Sequence, residues 1–163
     1  LYPPEVIGAH VSITPNHQTG RTTPLDTRYQ TARLFNLGYE LDLTKCTEEE
    51  KDEIRRQTAE HIAERPRFLD GTFYRHDVPN DNYVMWSVVT KTECLAVIFQ
   101  KFFDPLRSHG RFRLLGLDPE GDYMDTESQK VYGGDELMQI GVTVPLVKED
   151  FHAFVIHLER VDK

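Results

Sequence analysis

Hydrophobic and polar residues follow two different patterns along this chain, and the patterns meet near residues 76–83. Before that point, short apolar runs alternate with segments in which apolar residues recur every three or four positions. After it, nearly every apolar run is short and is bounded by Gly, Pro, Asp or Asn. The first pattern predicts alternating strands and helices, whereas the second predicts antiparallel β-structure.

The first part of the chain contains two predicted strands and the first of two predicted helices. Apolar spacing places the strands at residues 9–13 and 39–43 and the helix at residues 24–35. Thr23 supplies a predicted N-cap, and Pro24 suits the first helical position. The apolar side of this helix is predicted to comprise Leu25, Tyr29, Ala32 and Phe35.

The second predicted helix has a well-defined start and end. Thr47 and Glu50 have the spacing of a capping box, and the acidic residues between them suit the positive end of the helix dipole. Pro66 disfavours helical geometry at the residue before it, so the helix is predicted to end near Glu64. Its predicted packing side is a thin apolar stripe formed by Ile54, Ala59, Ile62 and Ala63.

Two strand–helix units cannot form a closed parallel sheet, because parallel strands need neighbours on both sides and cover on both faces. The chain also begins with Leu1, without an initiator Met or a leader. We therefore expect it to be a piece of a larger fold.

The second part contains eight short predicted strands, separated by turns such as "DPEG" and "GGDE". Regular spacing of such strands predicts a Greek-key β-sandwich. We expect two domains, one at residues 1–70 and one at residues 71–163. The predicted strands lie at residues 72–76, 83–90, 94–103, 111–116, 122–126, 130–134, 142–146 and 151–159.

Composition narrows the functional classes. The 163 residues carry a net charge of −8, which argues against binding to nucleic acid, and the basic run at 107–113 is interpreted as a solvated turn. No apolar run is long enough to span a membrane. Cys46 and Cys94 lack metal or redox spacing and are expected to be free thiols, which favours a reducing compartment.

No complete catalytic set is visible in the sequence. His10, His17 and His61 do not have metal-ligand spacing, and the nucleophile motif GxSxG is absent. Asp42, at the end of the second predicted strand, is either a catalytic carboxylate or, as is more common for a lone carboxylate at a strand end, a helix cap or ion-pair partner. Trp86 lies in an apolar run and is expected in the core rather than on a sugar-binding surface.

Several long motifs carry a family resemblance. The runs "GAHVS-x-x-PNHQTGR", "NLGYELDL", "LLGLDPEGDY" and "VYGGDELMQIGV" occur in order, between "YPPE" near the start and "FHAFVIHLERV" near the end. Together they resemble the C-terminal part of the α-galactosidases of glycoside hydrolase family 36. The resemblance implies the last strands and helices of a (β/α)₈ barrel, followed by an antiparallel β-domain. It also implies a retaining reaction with one Asp as nucleophile and another as acid/base, without metal or organic cofactor.

The sequence departs from that family in one decisive respect. The nucleophile of the family lies in a Lys-Trp-Asp motif and the acid/base in a Ser-Asp-x-x-Asp motif, but here the single Trp is followed by Ser87. Both catalytic residues are thus expected N-terminal to Leu1, and we expect the chain alone to be inactive.

The polar loop after the first strand gains a predicted location from this resemblance. Barrel active sites lie at the carboxyl ends of the strands, so His17, Gln18 and Arg21 either line the substrate pocket or brace its loops as a hydrogen-bonded corner. The expected partners are α-galactoside oligosaccharides and further copies of the full-length chain, in the bacterial cytoplasm. Two alternatives remain: an independent, non-catalytic carbohydrate-binding β-sandwich, and an enzyme that acts on α-N-acetylgalactosamine or transfers galactose.

Overall fold

A computed structural model describes residues 2–106 and 110–161, so part of the basic run at 107–113 lies outside the described residues. The chain forms two compact units, residues 1–70 and residues 71–163. The first unit combines parallel strands with helices, and the second is mainly antiparallel sheet. The predicted fold class, an α/β barrel end followed by a β-domain, is confirmed.

The first unit is built on one pair of parallel strands. Its regular elements are β1 (Gly8–Ser12), α1 (Leu25–Ala32), β2 (Asn36–Glu40) and α2 (Glu48–Phe68). Strand β1 pairs with strand β2 in register, with Gly8 opposite Asn36 and Ser12 opposite Glu40. Two short 3₁₀ helices, Pro4–Val6 and Leu43–Lys45, precede β1 and follow β2.

A small apolar core lies between the strand pair and α1. Val11 and Tyr29 are fully buried there, and Leu37 and Tyr39 pack against them. Because Leu37 takes part in this core, β2 begins three residues earlier than the predicted strand at 39–43. Helix α1 is also shorter than predicted, and Pro24 rather than Thr23 occupies its N-cap position, without a side-chain cap.

Helix α2 begins as predicted but ends later. Thr47 Oγ1 accepts a hydrogen bond from the Glu50 amide at 3.2 Å, and Glu50 Oε2 accepts one from the Thr47 amide at 2.9 Å. The predicted end near Glu64 is wrong, because α2 continues through Pro66 to Phe68. Proline removes only one hydrogen bond there, and that bond lies in the last turn of the helix.

The predicted apolar stripe of α2 is also wrong, except at Ile54, which is partly buried. Ala59, Ile62 and Ala63 are exposed, whereas the buried residues are Gln57, Glu64 and Phe68. This polar side of α2 meets Arg33, which is only 4% exposed at the end of α1.

Arg33 is the centre of a buried polar cluster between α1 and α2. Its Nε and Nη2 donate to the two carboxylate oxygens of Glu64 at 2.8 and 2.6 Å, and Nη2 also donates to Glu60 at 2.8 Å. Nη1 donates to Gln30 at 3.0 Å. Burial by itself would lower the pKa of Arg33, but the hydrogen bond to Glu64 and the negative charges of Glu64 and Glu60 outweigh burial and raise this pKa. Polar pairing rather than apolar periodicity therefore fixes how these two helices pack.

The second unit is a six-stranded antiparallel sheet with a second, two-stranded sheet. Its strands are β3 (Thr72–Arg75), β4 (Tyr83–Val89), β5 (Glu93–Gln100), β6 (Arg111–Phe112), β7 (Asp122–Asp125), β8 (Val131–Gly133), β9 (Val142–Thr143) and β10 (His152–Val161). The strand order of the large sheet is β3-β4-β5-β10-β7-β8, so β10 returns to the middle, as in Greek-key arrangements. Strands β6 and β9 pair separately.

The largest hydrophobic cluster of this unit lies on one face of the large sheet. Met85, Ile98 and Ile156 on that face pack with Phe112 and Leu114 from the segment that begins with β6. The predicted strands at 111–116 and 142–146 therefore contribute to the core, although only two residues of each have strand geometry.

A helix occurs where the sequence predicted a turn. The "GGDE" segment begins helix α3 (Gly134–Gln139), which packs Leu137 into the core. The Gly134 amide donates to the Gly121 carbonyl at 2.8 Å, so the "DPEG" turn and this helix form one corner. A Cβ at Gly134 would lie 2.0 Å from the Asp118 carbonyl oxygen, which explains the glycine.

Candidate functional site

The loop between β1 and α1 occupies the carboxyl end of the parallel strand pair. Since β1 and β2 run in the same direction, the loop after Ser12 and the segment after Glu40 meet at the same edge. In α/β folds, this is the edge where loops carry functional side chains.

Asn16 organises the loop. Its Oδ1 accepts hydrogen bonds from the amides of Gln18 and Thr19, both at 3.0 Å, and from Thr19 Oγ1 at 3.1 Å. The backbone amide of Asn16 donates to the Arg21 carbonyl at 2.9 Å, and its backbone carbonyl accepts from the Gly20 amide at 2.7 Å. Gly20 has a φ of +67°, which closes the turn. The loop is therefore a hydrogen-bonded corner.

Arg28 of α1 fastens this corner to the strand. Its Nη1 donates to the Ser12 carbonyl at 2.5 Å, and its Nε donates to the Thr23 carbonyl at 3.0 Å. Thr23 in turn donates its amide to Thr14 Oγ1 at 3.2 Å. Desolvation by burial lowers the pKa of Arg28, and nearby Glu50 partly opposes that effect. One side chain thus connects the start and the end of the loop.

Sequence reasoning missed Arg28, although one signal was available. A cation in the first turn of a helix is unfavourable beside the positive end of the helix dipole. An arginine placed four residues after Pro24 therefore needs carbonyl partners, and the two carbonyls described above provide them.

Two concavities flank Arg28, each with a volume of about 260 Å³. Gln18 and Arg21 line the first, together with other residues of the loop. Asp42, Cys46 and Glu50 contribute to the second, which lies between the loop and the segment after β2. Each is smaller than the roughly 300–1,000 Å³ of a typical ligand pocket.

The three candidate residues are not equivalent. Gln18 and Arg21 come together around one concavity, whereas His17 is exposed and lines neither of the two. Whether any of them contacts a sugar stays a prediction.

Asp42 is a capping residue. Its Oδ1 accepts from the Thr44 amide at 3.0 Å and from Thr44 Oγ1 at 2.6 Å, and Lys45 Nζ lies 3.7 Å from Oδ2. The Thr44 hydrogen bonds lower the pKa of Asp42, with a smaller contribution from Lys45. The prediction of a cap and ion-pair partner is confirmed.

Trp86 packs against other aromatic residues in the described part of the second unit. Trp86 is 7% exposed, and its ring centroid lies 6.1 Å from that of Phe73 and 6.0 Å from that of Phe99. A cavity of about 510 Å³ lies beside β10, but its aromatic residues Tyr132 and Phe154 take part in the hydrophobic core. The core position predicted for Trp86 is confirmed, which counts against an independent carbohydrate-binding module.

Within the described residues, no helix is long and apolar enough to cross a membrane. Cys46 and Cys94 are both free, as expected.

Comparison with known protein families gives consistent matches over both units. Residues 1–71 match the family model described as Melibiase, and residues 83–158 match the one described as the glycosyl hydrolase family 36 C-terminal domain. Among curated proteins, α-galactosidase AgaA of Geobacillus stearothermophilus is 40% identical over 100% of this chain and 23% of its own length. α-Galactosidase Mel36A of Lactobacillus acidophilus is 36% identical over 99% of this chain and 22% of its own length.

Solved structures show the same similarity. A variant of AgaA in complex with raffinose superposes with a TM-score of 0.92 at 40% identity, covering 98% of this chain and 23% of that one. The galactosidase domain of the α-galactosidase–sucrose kinase AgaSK gives a TM-score of 0.93 at 32% identity, covering 98% and 23%. The chain therefore spans about a fifth of the length of the relatives that it matches.

Proposed function

Because this chain belongs to glycoside hydrolase family 36, we propose that it forms the end of the catalytic barrel and the C-terminal β-domain of an α-galactosidase. The substrates would be oligosaccharides with terminal α-galactose, such as those of the raffinose family and melibiose. One observation carries the proposal: similarity to α-galactosidases extends over essentially the whole chain, including a relative that is known in complex with raffinose.

The catalytic carboxylates would come from barrel strands outside this chain. The described carboxylates near the strand ends have other partners: Asp42 caps a turn, and Glu50 completes the capping box of α2. A retaining glycosidase needs a nucleophile and an acid/base about 5–5.5 Å apart. The chain would contribute one wall of the substrate site and the support behind it.

The Asn16 corner is the part of that wall which the proposal places nearest the sugar. Arg28 would hold the corner in place, and Gln18 and Arg21 would face the concavity beside it. His17 would lie on the outer side of the loop. This arrangement supports the bracing role more strongly than direct contact by all three candidates.

Two experiments test the proposal. The purified 163-residue chain should not hydrolyse p-nitrophenyl α-galactoside above the buffer blank, because it lacks both catalytic carboxylates. A chimera in which this chain replaces the homologous 23% of AgaA should hydrolyse both that substrate and raffinose. Hydrolysis by the chain alone, or a folded chimera without activity, would contradict the proposal.

We also propose a homo-oligomeric, cytoplasmic parent enzyme. Two free thiols support a reducing compartment, since secreted domains usually pair their cysteines. Size-exclusion chromatography with light scattering on the chimera tests the oligomeric state.

A further inference from the structure

The two faces of the parallel strand pair differ in composition. One face carries Val11, Leu37 and Tyr39 and packs against α1. The opposite face carries small and polar residues, namely Gly8, His10, Ser12, Asn36, Gly38 and Glu40. In a (β/α)₈ barrel, the strand face opposite the helices lines the interior, so this polar face is the inward one.

His10 and Glu40 are paired on the inward face. His10 lies opposite Gly38 in the register, and Glu40 lies one layer nearer the carboxyl end. His10 Nδ1 is 3.0 Å from Glu40 Oε1. A Cβ at Gly38 would lie 3.1 Å from His10 Cδ2, so the glycine leaves space for the imidazole ring beside β2.

The pairing fixes the role of each ring nitrogen. A carboxylate can only accept a hydrogen bond, so Nδ1 carries the proton that faces Glu40. Nε2 then remains for another partner, and within the described residues no hydrogen bond reaches it. A carboxylate that orients a histidine, with the second nitrogen pointing elsewhere, is the arrangement that proteins use to aim an imidazole at a functional group.

We propose that His10, oriented by Glu40, is a positioning residue for the α-galactosidase reaction. Its Nε2 holds a hydrogen-bonding side chain of the active-site floor, contributed by barrel strands outside this chain. This inference rests on the proposed function. It differs from a purely structural role because the pair lies on the uncovered face, where the His10 side chain is 49% exposed and the Glu40 side chain 65% exposed in this chain.

The test uses the AgaA chimera and two variants at His10. His10→Leu removes the hydrogen-bonding group and should lower kcat about 100-fold, the loss typical of a misplaced reacting group, with KM within about threefold. His10→Gln keeps an amide near the position of Nε2, so its kcat should be at least about tenfold higher than that of His10→Leu. Asn36→Ala, on the same face at the far end of β2, is the matched control and should leave kcat within about twofold.

Two variants at Glu40 test the orienting role. Glu40→Gln retains an oxygen that accepts from Nδ1 and should keep kcat within about tenfold of the parent. Glu40→Leu removes the acceptor and should approach the effect of His10→Leu. Binding of 1-deoxygalactonojirimycin, which is known in complex with a variant of AgaA, should stay within about threefold in every variant, because a positioning residue leaves the pocket assembled.

The outcomes separate the two proposals. An inactive but folded chimera overturns the proposed function and, with it, the role of His10. An active chimera in which His10→Leu keeps kcat within threefold overturns only the positioning role. Loss of inhibitor binding in parallel with kcat, without recovery in His10→Gln, shows that the pair merely supports the barrel and also overturns it.

Discussion

Replacement of Arg33 by Met tests whether the buried polar cluster holds α1 and α2 together. Methionine has a similar helix propensity and fills much of the same volume, so the main change is the loss of the guanidinium. Four hydrogen bonds disappear, and Glu64, which is 8% exposed, loses both hydrogen bonds to Arg33 and is left beside Arg67, whose Nη2 lies 4.0 Å from Glu64 Oε1. Breaking a buried pair from one side costs about 3–5 kcal/mol, and Glu60 is only partly buried and can be hydrated. We therefore expect a loss of about 3 kcal/mol.

Urea unfolding followed by circular dichroism at 222 nm measures this loss. Helices α1 and α2 have 8 and 21 residues and α3 only 6, so the signal reports mainly on the first unit. With a slope of about 1.5 kcal/mol per M, the midpoint should fall by about 2 M.

Arg55→Met is the matched control. Arg55 and its partner Asp52 are both exposed on α2, so the change should stay within about 0.5 kcal/mol. The double variant Arg33→Met/Glu64→Leu should recover much of the lost stability, because no buried charge remains unpaired. Equal urea midpoints for the two arginine variants, or a double variant less stable than Arg33→Met, would refute the reasoning.

Three further predictions concern the second unit and the thiols. Gly134→Ala should lower the free energy of unfolding by more than about 2 kcal/mol, because its Cβ would lie 2.0 Å from a backbone oxygen. Gly121→Ala, whose Cβ would have its nearest contacts at 3.4 Å, should lower it by less than about 1 kcal/mol. Trp86 fluorescence during urea unfolding compares the two variants, and equal losses would exclude the steric explanation. Burial lowers the pKa of His76, whose Nε2 lies 2.8 Å from Ser87 Oγ, so below about pH 6.5 the unfolded state binds a proton that the folded state does not. The parent should therefore lose stability as the pH falls from 7.5 to 5.5, and His76→Gln should lose less. Identical slopes of unfolding free energy against pH would count against this role of His76. Burial also lowers the pKa of His61, which contributes in the same direction in both proteins. Burial raises the pKa of Cys94 to about 12, so a thiol reagent should label Cys46 first in the folded chain, and rapid labelling that persists in Cys46→Ser would contradict that assignment.

Local signals in the sequence were sufficient where the partners lie close together along the chain. The Thr47–Glu50 capping box spans three residues, and both of its hydrogen bonds are present. The Asp42 cap spans two residues. Strands β4, β5 and β10 were predicted from their apolar runs. Both faces of these strands carry buried residues, so the runs are nearly continuous in the sequence.

Periodicity failed where distant polar residues decide the packing. The buried side of α2 depends on Arg33, which lies 31 residues before Glu64, so the apolar positions of the helix pointed to the wrong side. Arg28 was missed for a similar reason, because its acceptor at Ser12 is 16 residues away. The pairing of His10 with Glu40 depends on the parallel register of two strands, which no local pattern encodes.

The central position of β10 constrains the order in which the second unit can be completed during translation. This strand is the last of the described elements to leave the ribosome, yet it separates β5 from β7. Until it emerges, both neighbours expose unpaired backbone groups, and such edges are prone to pair with other chains. A chain that ends before residue 152 would therefore have an incomplete, aggregation-prone sheet. Chaperones would have to bind it for as long as β10 is missing.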